Sequence, residues 1–446
     1  MKNQNERVQE LFSHLPEGVA AAELYAQSSE DFSVGLTNGE LDDYSVSESG
    51  GFCLRADCGH IGYASSQDPA ADLEPLLDTA IQNARALENE DEQTIYAGAG
   101  HYPSVPEPAD DPATAEEKIA LAKKIEKQML SFDERICRVA ECGVATGKGA
   151  VSLVNSLGLS LSYGIAYAVC YVNPVAELDG ETKDSFAWRA ALTTAGLDVD
   201  GMIKEAAESL FSRFGASPLP SGSTPAVFSN DAMRSLLSVF AGMFCADNAQ
   251  RGLSLLSDRE GSVIASPLVN LHDDPMSPLA LLKTPFDDEG VPAKDTLVVK
   301  RGVLETLLYN RKTAKKAGRE TTGNGGKSGL SGEVGVLPTN FYLAPGSATE
   351  EELCEQMGNG VLITSVSGLH AGCNSVSGDY SAQARGFAIE NGRRGRPVDQ
   401  IVVSGNFLTL LKDIQAVGND LRFGTPGGVC IGAPSVLVKE VTVAGE

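Results

Sequence analysis

The longest uncharged stretch of the chain, residues 149–176, limits the possible folds more than any other feature of the sequence. On length alone it could cross a membrane as a helix. Large side chains alternate there with glycine, serine, alanine and cysteine, and the large ones are Leu157, Leu159, Leu161, Tyr163, Ile165, Tyr167, Val169 and Tyr171. A period of two belongs to a β-strand. The pattern therefore predicts a long strand with one bulky face and one small face, against which a helix or a second sheet packs closely.

The length of the chain and one Pro/Ser-rich stretch predict two domains. A chain of 446 residues is longer than one ordinary hydrophobic core organises. Residues 217–225 read Ser-Pro-Leu-Pro-Ser-Gly-Ser-Thr-Pro and form the clearest boundary. We therefore predict an N-terminal α+β domain over 1–216, a linker over 217–224 and a C-terminal β-rich domain over 225–446.

Periodicity and turn signals predict an antiparallel sheet with helices in the first domain. A meander is expected over 19–65, with turns at Asn38-Gly39 and Gly50-Gly51. Two or three further strands are expected over 136–171. Helices are expected over 4–15, 71–89, 114–132 and 198–214. Thr114 and Glu117 match a capping box at the start of the third helix.

In the second domain, short strands alternate with helices and with turn signals such as Asn391-Gly392. Strands are expected over 341–343, 361–366, 386–390, 401–404 and 435–443. Helices are expected over 230–245, 349–357 and 405–414. This mixture predicts an α+β fold whose second domain is a mostly antiparallel, barrel-like sheet with helices.

The charge and the cysteines exclude several classes of protein. Thirty-five basic residues stand against sixty acidic ones, and the formal charge of −25 disfavours direct binding to nucleic acid or to an anionic membrane. Nine cysteines without any Cys-x-x-Cys pair are typical of reduced thiols, so no disulfide is expected. The first seven residues are polar and precede no apolar signal core. We therefore expect a cytoplasmic protein that binds neither nucleic acid nor membrane.

Several short sequence motifs in the second half, called family phrases below, follow one another in an order that is found in a single family of proteins. They are PFDDEGVP at 285–292, TTGN at 321–324, PTNFYLAPG at 338–346, GDYS at 378–381, GFAIENG at 386–392, GNF at 405–407 and VGND at 417–420. In these phrases the chain resembles the TldD/PmbA family, and a weaker resemblance extends over the first half. The resemblance implies a cytoplasmic peptidase system in which a TldD subunit and a PmbA/TldE subunit assemble and cleave small or unfolded peptides. Names within the family also refer to microcin maturation and to modulation of DNA gyrase.

The family also implies a zinc site, and the chain departs from it. In the TldD subunit a His-Glu-x-x-x-His helix and a distant cysteine hold the zinc, while the glutamate polarises the bound water. The corresponding helix is expected here over 231–247, which contains no histidine and no glutamate. Cys245 and Asp247 offer ligand atoms near its end, and these two cannot fix a tetrahedral zinc ion. The chain therefore resembles the PmbA/TldE subunit, with no metal or other cofactor of its own and with zinc expected in a TldD-like partner.

Other candidate metal ligands are few and scattered. The five histidines are His14, His60, His101, His272 and His370, and no two have the spacing of a local metal motif. A composite site built from distant segments stays open. The most ligand-like local cluster is Cys53, Cys58 and His60, but its four-residue spacer suits a strand and a turn. Buried thiols are the simpler interpretation.

Two acidic runs, His272-Asp273-Asp274 and Asp287-Asp288-Glu289, could supply a general base or bind a cation. The prolines around them equally favour solvated turns. Residues 323–329 contain Gly-Lys-Ser but lack the glycine spacing of a phosphate-binding loop, so a flexible loop is expected there. One basic helical face is formed by Arg311, Lys312, Lys315, Lys316 and Arg319. It is either a solvated surface or a contact for an acidic partner or a peptide carboxylate.

An independent hydrolase would combine Ser381 or Cys373 with His370 and Asp379. These residues lie close together in the sequence, whereas the members of a catalytic triad usually come from distant segments. The glycines and serines of 368–379 instead indicate a mobile or tightly turned loop. We therefore assign no catalytic residue to this chain. Asn340, His370, Asp379 and Ser381 are predicted as candidates for lining a substrate channel.

The sequence thus predicts a non-metal-binding subunit that shapes a peptide channel for a TldD-like metallopeptidase partner. A peptide substrate would add as a strand to an exposed sheet edge, with little sequence preference. Two alternatives stay open. The first is a catalytically silent homodimer that binds peptides or a regulatory partner, and the second is an independent hydrolase built on His370 or Cys373.

Overall fold

The structure is a computed structural model that describes residues 4–87 and 93–446. Its helices are α1 Gln4–Phe12, α2 Leu73–Ala86, α3 Ala115–Leu130, α4 Val199–Phe211, α5 Asn230–Phe240, α6 Ala246–Gln250, α7 Arg311–Ala317, α8 Glu350–Met357, α9 Leu369–Gly372 and α10 Phe407–Lys412. The strands before residue 200 are β1 Ala21–Thr37, β2 Glu40–Asp57, β3 Ile61–Ser66, β4 Ile136–Asn155, β5 Ser160–Leu178, β6 Glu181–Asp184 and β7 Ala187–Ala191. The later strands are β8 Gly222–Phe228, β9 Leu271–Asp273, β10 Thr296–Lys300, β11 Val303–Leu304, β12 Gly325–Lys327, β13 Val334–Val336, β14 Asn340–Leu343, β15 Gly360–Ser367, β16 Asp379–Glu390, β17 Arg393–Asn406, β18 Ile414–Val417, β19 Arg422–Phe423, β20 Cys430–Ala433 and β21 Val436–Ala444.

The first seven strands form one antiparallel half-barrel sheet in the order β3-β2-β1-β4-β5-β6, and β7 pairs with β5. The long strand predicted from the alternating stretch is β5, which starts at residue 160, after β4 and a turn. The later part of its small face, at Ala168 and Cys170, is buried, and Cys170 Sγ lies 3.6 Å from Met202 Sδ of α4. On its bulky face the Tyr167 ring lies over Gly147 of β4, and a Cβ atom there would be 2.7 Å from the ring. Small side chains in the later part of β5 therefore pack against α4, while Tyr167 on its bulky face packs over the neighbouring strand β4.

The two turn signals of the predicted meander have different outcomes. Asn38 and Gly39 have positive φ angles of 49° and 87° and connect β1 to β2, so this prediction is confirmed. The turn predicted at Gly50-Gly51 is wrong, because both residues lie inside β2. A Cβ atom at Gly51 would lie only 2.2 Å from the carbonyl oxygen of Ser66. Glycine is present there for close backbone approach between neighbouring strands.

The later strands form a closed five-stranded barrel and a second sheet beside it. The barrel order is β17-β16-β15-β8-β21, and pairing of β17 with β21 closes it. The second sheet has the order β11-β10-β9-β14-β20-β19. Helix α5 packs between these layers, and Phe240 stacks on Phe407 of α10 with a centroid distance of 4.6 Å. The predicted α+β fold with a mostly antiparallel, barrel-like second half is confirmed.

The helix predicted over 230–245 is interrupted. Helix α5 ends at Phe240, a 3-10 turn covers 241–244, and Cys245 is extended before α6 begins. The expectation of one helix over 231–247 is therefore wrong. Buried contacts of 241–246 with the core override the helical propensity of the segment.

The capping box of Thr114 and Glu117 is confirmed at the start of α3. Helix α2 starts at Leu73 and is described as far as Ala86, while residues 88 and 89 of the predicted helix lie outside the described residues. Of the helices described, none is both long and apolar enough to cross a membrane. The division into domains at 217–224 stays a prediction.

Candidate functional site

A cleft of about 500 Å³ lies between the half-barrel sheet and the second sheet of the C-terminal half. One wall comes from β7 and α4, and the other comes from β19, the start of α5 and the segment before residue 283. The lining residues are Trp188, Arg189, Ala190, Glu205, Asn230, Leu279, Leu281, Leu282, Asp420, Leu421, Arg422, Phe423, Gly424, Pro426, Gly427 and Cys430. The cleft thus combines apolar and charged groups from segments that are far apart in the sequence.

The start of α5 is held firmly at this cleft. Ser229 caps the helix by accepting a hydrogen bond from Ala232 N. The Asn230 side chain donates to the carbonyl oxygen of Asp420 at 3.0 Å. The Asp420 carboxylate accepts bonds from the backbone and the hydroxyl of Ser435 at 2.9 and 2.7 Å. Although Asp420 lines the cleft, its carboxylate is thus engaged by Ser435.

Six charged side chains of alternating sign connect the two walls, and we call them the charge chain. In spatial order they are Asp198, Arg189, Glu205, Arg422, Asp231 and Arg234. On the first wall, Arg189 lies 3.7 Å from Asp198 and 2.8 Å from Glu205. The side chains of Glu205 and Asp231 each keep 38% of their surface exposed, so water screens these pairs.

Arg422 joins the walls of the cleft. Its Nη1 lies 3.0 Å from Glu205 and 3.3 Å from Asp231, and its guanidinium stacks over the Trp188 ring at 5.4 Å. Arg234 Nη2 completes the charge chain at 3.0 Å from Asp231. Asp231 is therefore flanked by two guanidinium groups, which compete with any cation for its oxygens.

Both walls present the edge of a sheet. Strand β7 pairs with β5 and β19 pairs with β20, and within the described residues neither has a strand on its other side. Edge strands leave backbone N–H and C=O groups open to another extended chain, although in β7 the Trp188 carbonyl oxygen already accepts a hydrogen bond from Arg189 Nη1 at 2.9 Å. The cleft therefore has a geometry in which an extended peptide can add to a sheet.

The four predicted channel residues lie outside this lining. Asn340 is buried, and its amide donates to the carbonyl oxygens of Asp274, Pro275 and Leu282 at 3.1–3.3 Å. It thereby holds the segment that supplies Leu281 and Leu282 to the cleft. Its role here is positional, and contact with a substrate stays a prediction.

The other three predicted channel residues lie together on the barrel. His370 in α9 and Asp379 and Ser381 in β16 are exposed, and Gly372 approaches the carbonyl oxygen of Ser381 so closely that a Cβ atom would lie 1.9 Å from it. The Asp379 carboxylate accepts bonds from Asn406 and Ser377, which lower its pKa. These three form one surface, separate from the lining of the cleft.

Comparison with known proteins identifies the family. The PmbA/TldA metallopeptidase C-terminal domain matches residues 221–445, the central domain of the same family matches 108–213, and its domain 1 matches 22–84. A structure of a modulator of DNA gyrase from Thermotoga maritima MSB8 is 32% identical, with a TM-score of 0.91 over 99% of this chain and 100% of that chain. The chain belongs to the PmbA/TldD family.

Individual relatives agree with this assignment. Metalloprotease PmbA of Escherichia coli O157:H7 is 27% identical over 74% of this chain and 70% of its own length. A metalloprotease of Methanothermobacter thermautotrophicus is 28% identical over 98% of both chains. TldE from Thermococcus kodakarensis shares the fold, with a TM-score of 0.87, 20% identity, and coverage of 99% of this chain and all of that chain.

The residues around α5 do not fit the zinc ion that the PmbA/TldD family implies. Asp231, the first carboxylate of the segment, is bound by Arg234 and Arg422. Cys245 lies in the extended break after the helix, where burial raises its pKa and keeps the thiol protonated. Over 4–87 and 93–446 no three histidine, cysteine or acidic side chains are grouped to hold a metal ion. No step of catalysis is therefore assigned to a metal on this chain.

The family phrase at 285–292 docks on the half-barrel sheet. The Phe286 ring meets the ring of Tyr163 edge-to-face at 5.1 Å. Tyr102 donates a hydrogen bond to the carbonyl oxygen of Gly290 at 2.8 Å. Gly290 has a φ of 80°, and a Cβ atom there would lie 2.8 Å from Leu159. This phrase therefore fixes how the two halves of the molecule meet.

The acidic side chains of this phrase belong to a cluster that we call the buried ion cluster. It consists of Glu23, Arg55, Asp287, Asp288, Glu289 and Lys327. Arg55 forms an ion pair with Glu23, and its Nη2 donates to the carbonyl oxygen of Asp288. The side chains of Arg55 and Glu23 are 6% and 0% exposed. The interpretation of the run 287–289 as solvated turn residues is therefore wrong.

Within the buried ion cluster, Asp287 accepts backbone hydrogen bonds from Glu289, Val291 and Gly325 at 2.7–2.9 Å. Burial, together with the neighbouring Glu289 carboxylate, raises the pKa of Asp287 well above its usual value. The flexible loop predicted over 323–329 is also wrong in its central part, because Gly325–Lys327 form β12 and pair with β13. The hydrogen bond from Gly325 N to the Asp287 carboxylate therefore fixes both this side chain and the start of β12.

The other predicted candidates have ordinary surroundings. Cys53 is a buried thiol, as expected, while Cys58 is half-buried. In the basic face of α7, Arg311 donates to Thr94 and Arg319 lies 2.5 Å from Glu260. Sequence reasoning missed the cleft itself. The available signals were Trp188, the single tryptophan of the chain, and Arg422, which follows the family phrase at 417–420.

Proposed function

We propose that this chain is the non-metal-binding subunit of a two-subunit cytoplasmic metallopeptidase that degrades or processes small or unfolded peptides. A TldD-like partner supplies the zinc ion and performs hydrolysis. This chain holds the peptide substrate in its cleft. The observation that carries the proposal is the cleft bordered by two open sheet edges, in a metallopeptidase-family chain whose own α5 carries no zinc ligand set.

An extended peptide would bind mainly through its backbone. Hydrogen bonds to the open edges of β7 and β19 require no particular side chains, so they suit peptides of varied sequence. Trp188, Phe423 and the leucines of 279–282 offer apolar contact to alternate side chains. The net charge of −25 gives no attraction for nucleic acid, so peptide is the ligand class that the cleft favours.

Co-expression with a TldD-like chain and a peptide cleavage assay test this proposal. We expect the two chains to co-purify, the pair to cleave unfolded peptides, and a chelator to abolish cleavage. We expect the isolated chain to bind a labelled peptide without hydrolysing it. Hydrolysis by the isolated chain that a chelator does not affect would contradict the proposal, and loss of that activity in His370→Ala would indicate the independent hydrolase instead.

A matched pair of variants locates the binding site. Trp188→Ala removes an aromatic ring from the cleft, so we expect peptide binding to weaken about two- to thirteenfold, since stacking contacts contribute about 0.5–1.5 kcal/mol. Phe186→Ala removes a ring that is 53% exposed outside the cleft lining, and we expect no change. Peptide binding without any hydrolysis in the presence of the partner would identify the silent, homodimeric binding protein.

A further inference from the structure

We propose that the cleft recognises the free C-terminal carboxylate of its peptide through the guanidinium group of Arg422. This inference rests on the proposed peptide-binding function and narrows its substrate class to peptides that end at the cleft. A peptide passing through the cleft as an internal segment would lack the group that Arg422 binds.

Arg422 has hydrogen-bonding capacity that its present partners leave unused. Both carboxylate contacts, to Glu205 and to Asp231, are made by Nη1 alone. Among the residues that the structure describes, Nη2 reaches only the carbonyl oxygen of Trp188, at the long distance of 3.5 Å. A guanidinium carries five N–H donors in a planar fork that matches a carboxylate. One edge of this fork is therefore available on the cleft wall.

Arg234 adds a second positive charge behind the cleft wall, and it shares Asp231 with Arg422. Its Nε is buried and has no hydrogen-bond partner within 4–87 and 93–446. Arg234 is outside the cleft lining, so we assign it no contact with the ligand; it holds Asp231 beside Arg422. Gly424 of the cleft lining lies against this side chain, and a Cβ atom there would be 3.2 Å from Arg234 Nη1. The glycine thus leaves the guanidinium close to the open space.

A ligand carboxylate can displace the two carboxylates, Glu205 and Asp231, that now pair with Arg422. Glu205 and Asp231 are each 38% exposed, so either can turn towards water when a ligand carboxylate arrives. The remaining acid of the lining, Asp420, is engaged by Ser435 and does not compete. A bidentate bond between an arginine and a carboxylate is the strong form of this interaction.

The surroundings suit the end of a peptide better than a free anion. Leu279, which is 55% exposed, and Phe423 lie in the same lining and can contact the last side chain. The open edges of β7 and β19 can hold the preceding backbone. The expected ligand is therefore a peptide with an apolar last residue and a free carboxylate.

The test compares two fluorescein-labelled hexapeptides of glycine, alanine and serine that end in leucine. One has a free C-terminus and the other a C-terminal amide, and fluorescence anisotropy with the isolated wild-type chain gives both dissociation constants. We expect amidation to weaken binding at least about tenfold, which corresponds to about 1.4 kcal/mol. This comparison changes only the peptide, so it does not depend on the folding of a variant.

Variants assign the effect to the arginine. In Arg422→Ala the acid and the amide should bind equally, and Arg422→Lys should restore only part of the difference because lysine cannot bind a carboxylate bidentately. Arg385→Ala removes an arginine that is paired with Asp399 on the barrel and lies outside the cleft lining, and it should keep the wild-type ratio. Equal binding of both peptides to the wild-type chain would overturn the inference while leaving the proposed function intact. Binding of neither peptide would overturn the proposed function as well.

Discussion

The two halves of the molecule meet at the cleft and at the buried ion cluster, among other contacts, and charge is handled differently at these two sites. At the cleft, the charge chain places three arginines and three carboxylates in partial contact with water. At the buried ion cluster, the pair of Arg55 and Glu23 is almost completely removed from solvent. Both sites connect the same two parts of the chain, so their difference reflects the task of each site.

Desolvation explains why the two sites have different consequences. A buried charge that loses its partner cannot be stabilised by water, so its neighbours must keep one geometry. An exposed ion pair contributes little to stability, and its members can change partners at small cost. The buried ion cluster is therefore suited to fixing the halves in place, and the charge chain is suited to receiving a ligand.

The largest expected effect comes from breaking the buried ion pair. Arg55→Met leaves the Glu23 carboxylate buried without its cation, so we expect the free energy of unfolding in urea to fall by about 3–5 kcal/mol. The double variant Glu23→Leu with Arg55→Met removes both charges and should recover most of this loss.

An exposed ion pair on α4 provides the control. Lys204 lies 3.8 Å from Glu208, with side chains 70% and 66% exposed, and Lys204→Met should change the unfolding free energy by less than about 0.5 kcal/mol. If Arg55→Met were as mild as Lys204→Met, the buried ion cluster would not fix the halves, and the contrast between the two sites would fail.

The pH dependence of the unfolding free energy extends the comparison to Asp273, which is buried and accepts a hydrogen bond from Asn324, the residue before β12. Burial raises its pKa from 3.8 to about 6, although Asn324 and Thr339 donate hydrogen bonds to it. The folded state then keeps a proton that the unfolded chain releases, so this contribution to stability is complete below about pH 4 and is lost as the pH rises through 6. Between pH 5 and pH 7.5 the loss should be about 1.4 kcal/mol.

Asp273→Asn isolates this effect because the amide does not titrate. The unfolding free energy of the wild type minus that of the variant, measured by urea titration at both pH values, should decrease by this amount as the pH rises. A difference that stays constant with pH would show that Asp273 is ionised in the folded protein throughout the range.

A smaller effect is expected from a single hydrogen bond between the halves. Tyr102→Phe removes the hydroxyl that donates to Gly290 and accepts from Ala99 N, while the ring contact with Phe286 remains. We expect a loss of about 1 kcal/mol in unfolding free energy. Tyr44→Phe, at a position 50% exposed, should have no measurable effect. A loss as large as that of Arg55→Met would place Tyr102 among the residues that fix the junction.

Local signals in the sequence predicted local structure well. The alternation over 157–171 predicted β5 and its two faces, and the pairing of Thr114 with Glu117 predicted the start of α3. Both features depend on residues a few positions apart, so the sequence shows them directly. The break after Phe240 did not follow from the sequence because it depends on distant residues that bury the segment.

The cleft and the buried ion cluster could not be predicted from the sequence, and the reason is the same for both. Arg55 contacts Asp288 across 233 positions, and Arg422 contacts Trp188 across 234. An acidic run flanked by prolines looks like a solvated turn until the fold brings a buried arginine to it. Likewise, no local pattern indicates that β7 and β19 face one cleft. Asn340, Asp379 and Ser381 were chosen from the family phrases and His370 from the loop over 368–379, and contact with substrate stays a prediction for all four.

The smallest effect on stability is expected from the arginine of the cleft. Arg422 has two ionic partners where Arg55 has one, but its side chain is 25% exposed and its partners are 38% exposed. After Arg422→Ala, water can solvate Glu205 and Asp231, so the unfolding free energy in urea should fall by no more than about 1 kcal/mol, including the lost stacking on Trp188. A loss of about 3 kcal/mol or more, as at a buried pair, would show that the charge chain holds the two halves together. In that case a ligand carboxylate could not displace Glu205 and Asp231 from Arg422. The cleft and the buried ion cluster would then both serve to fix the two halves in place.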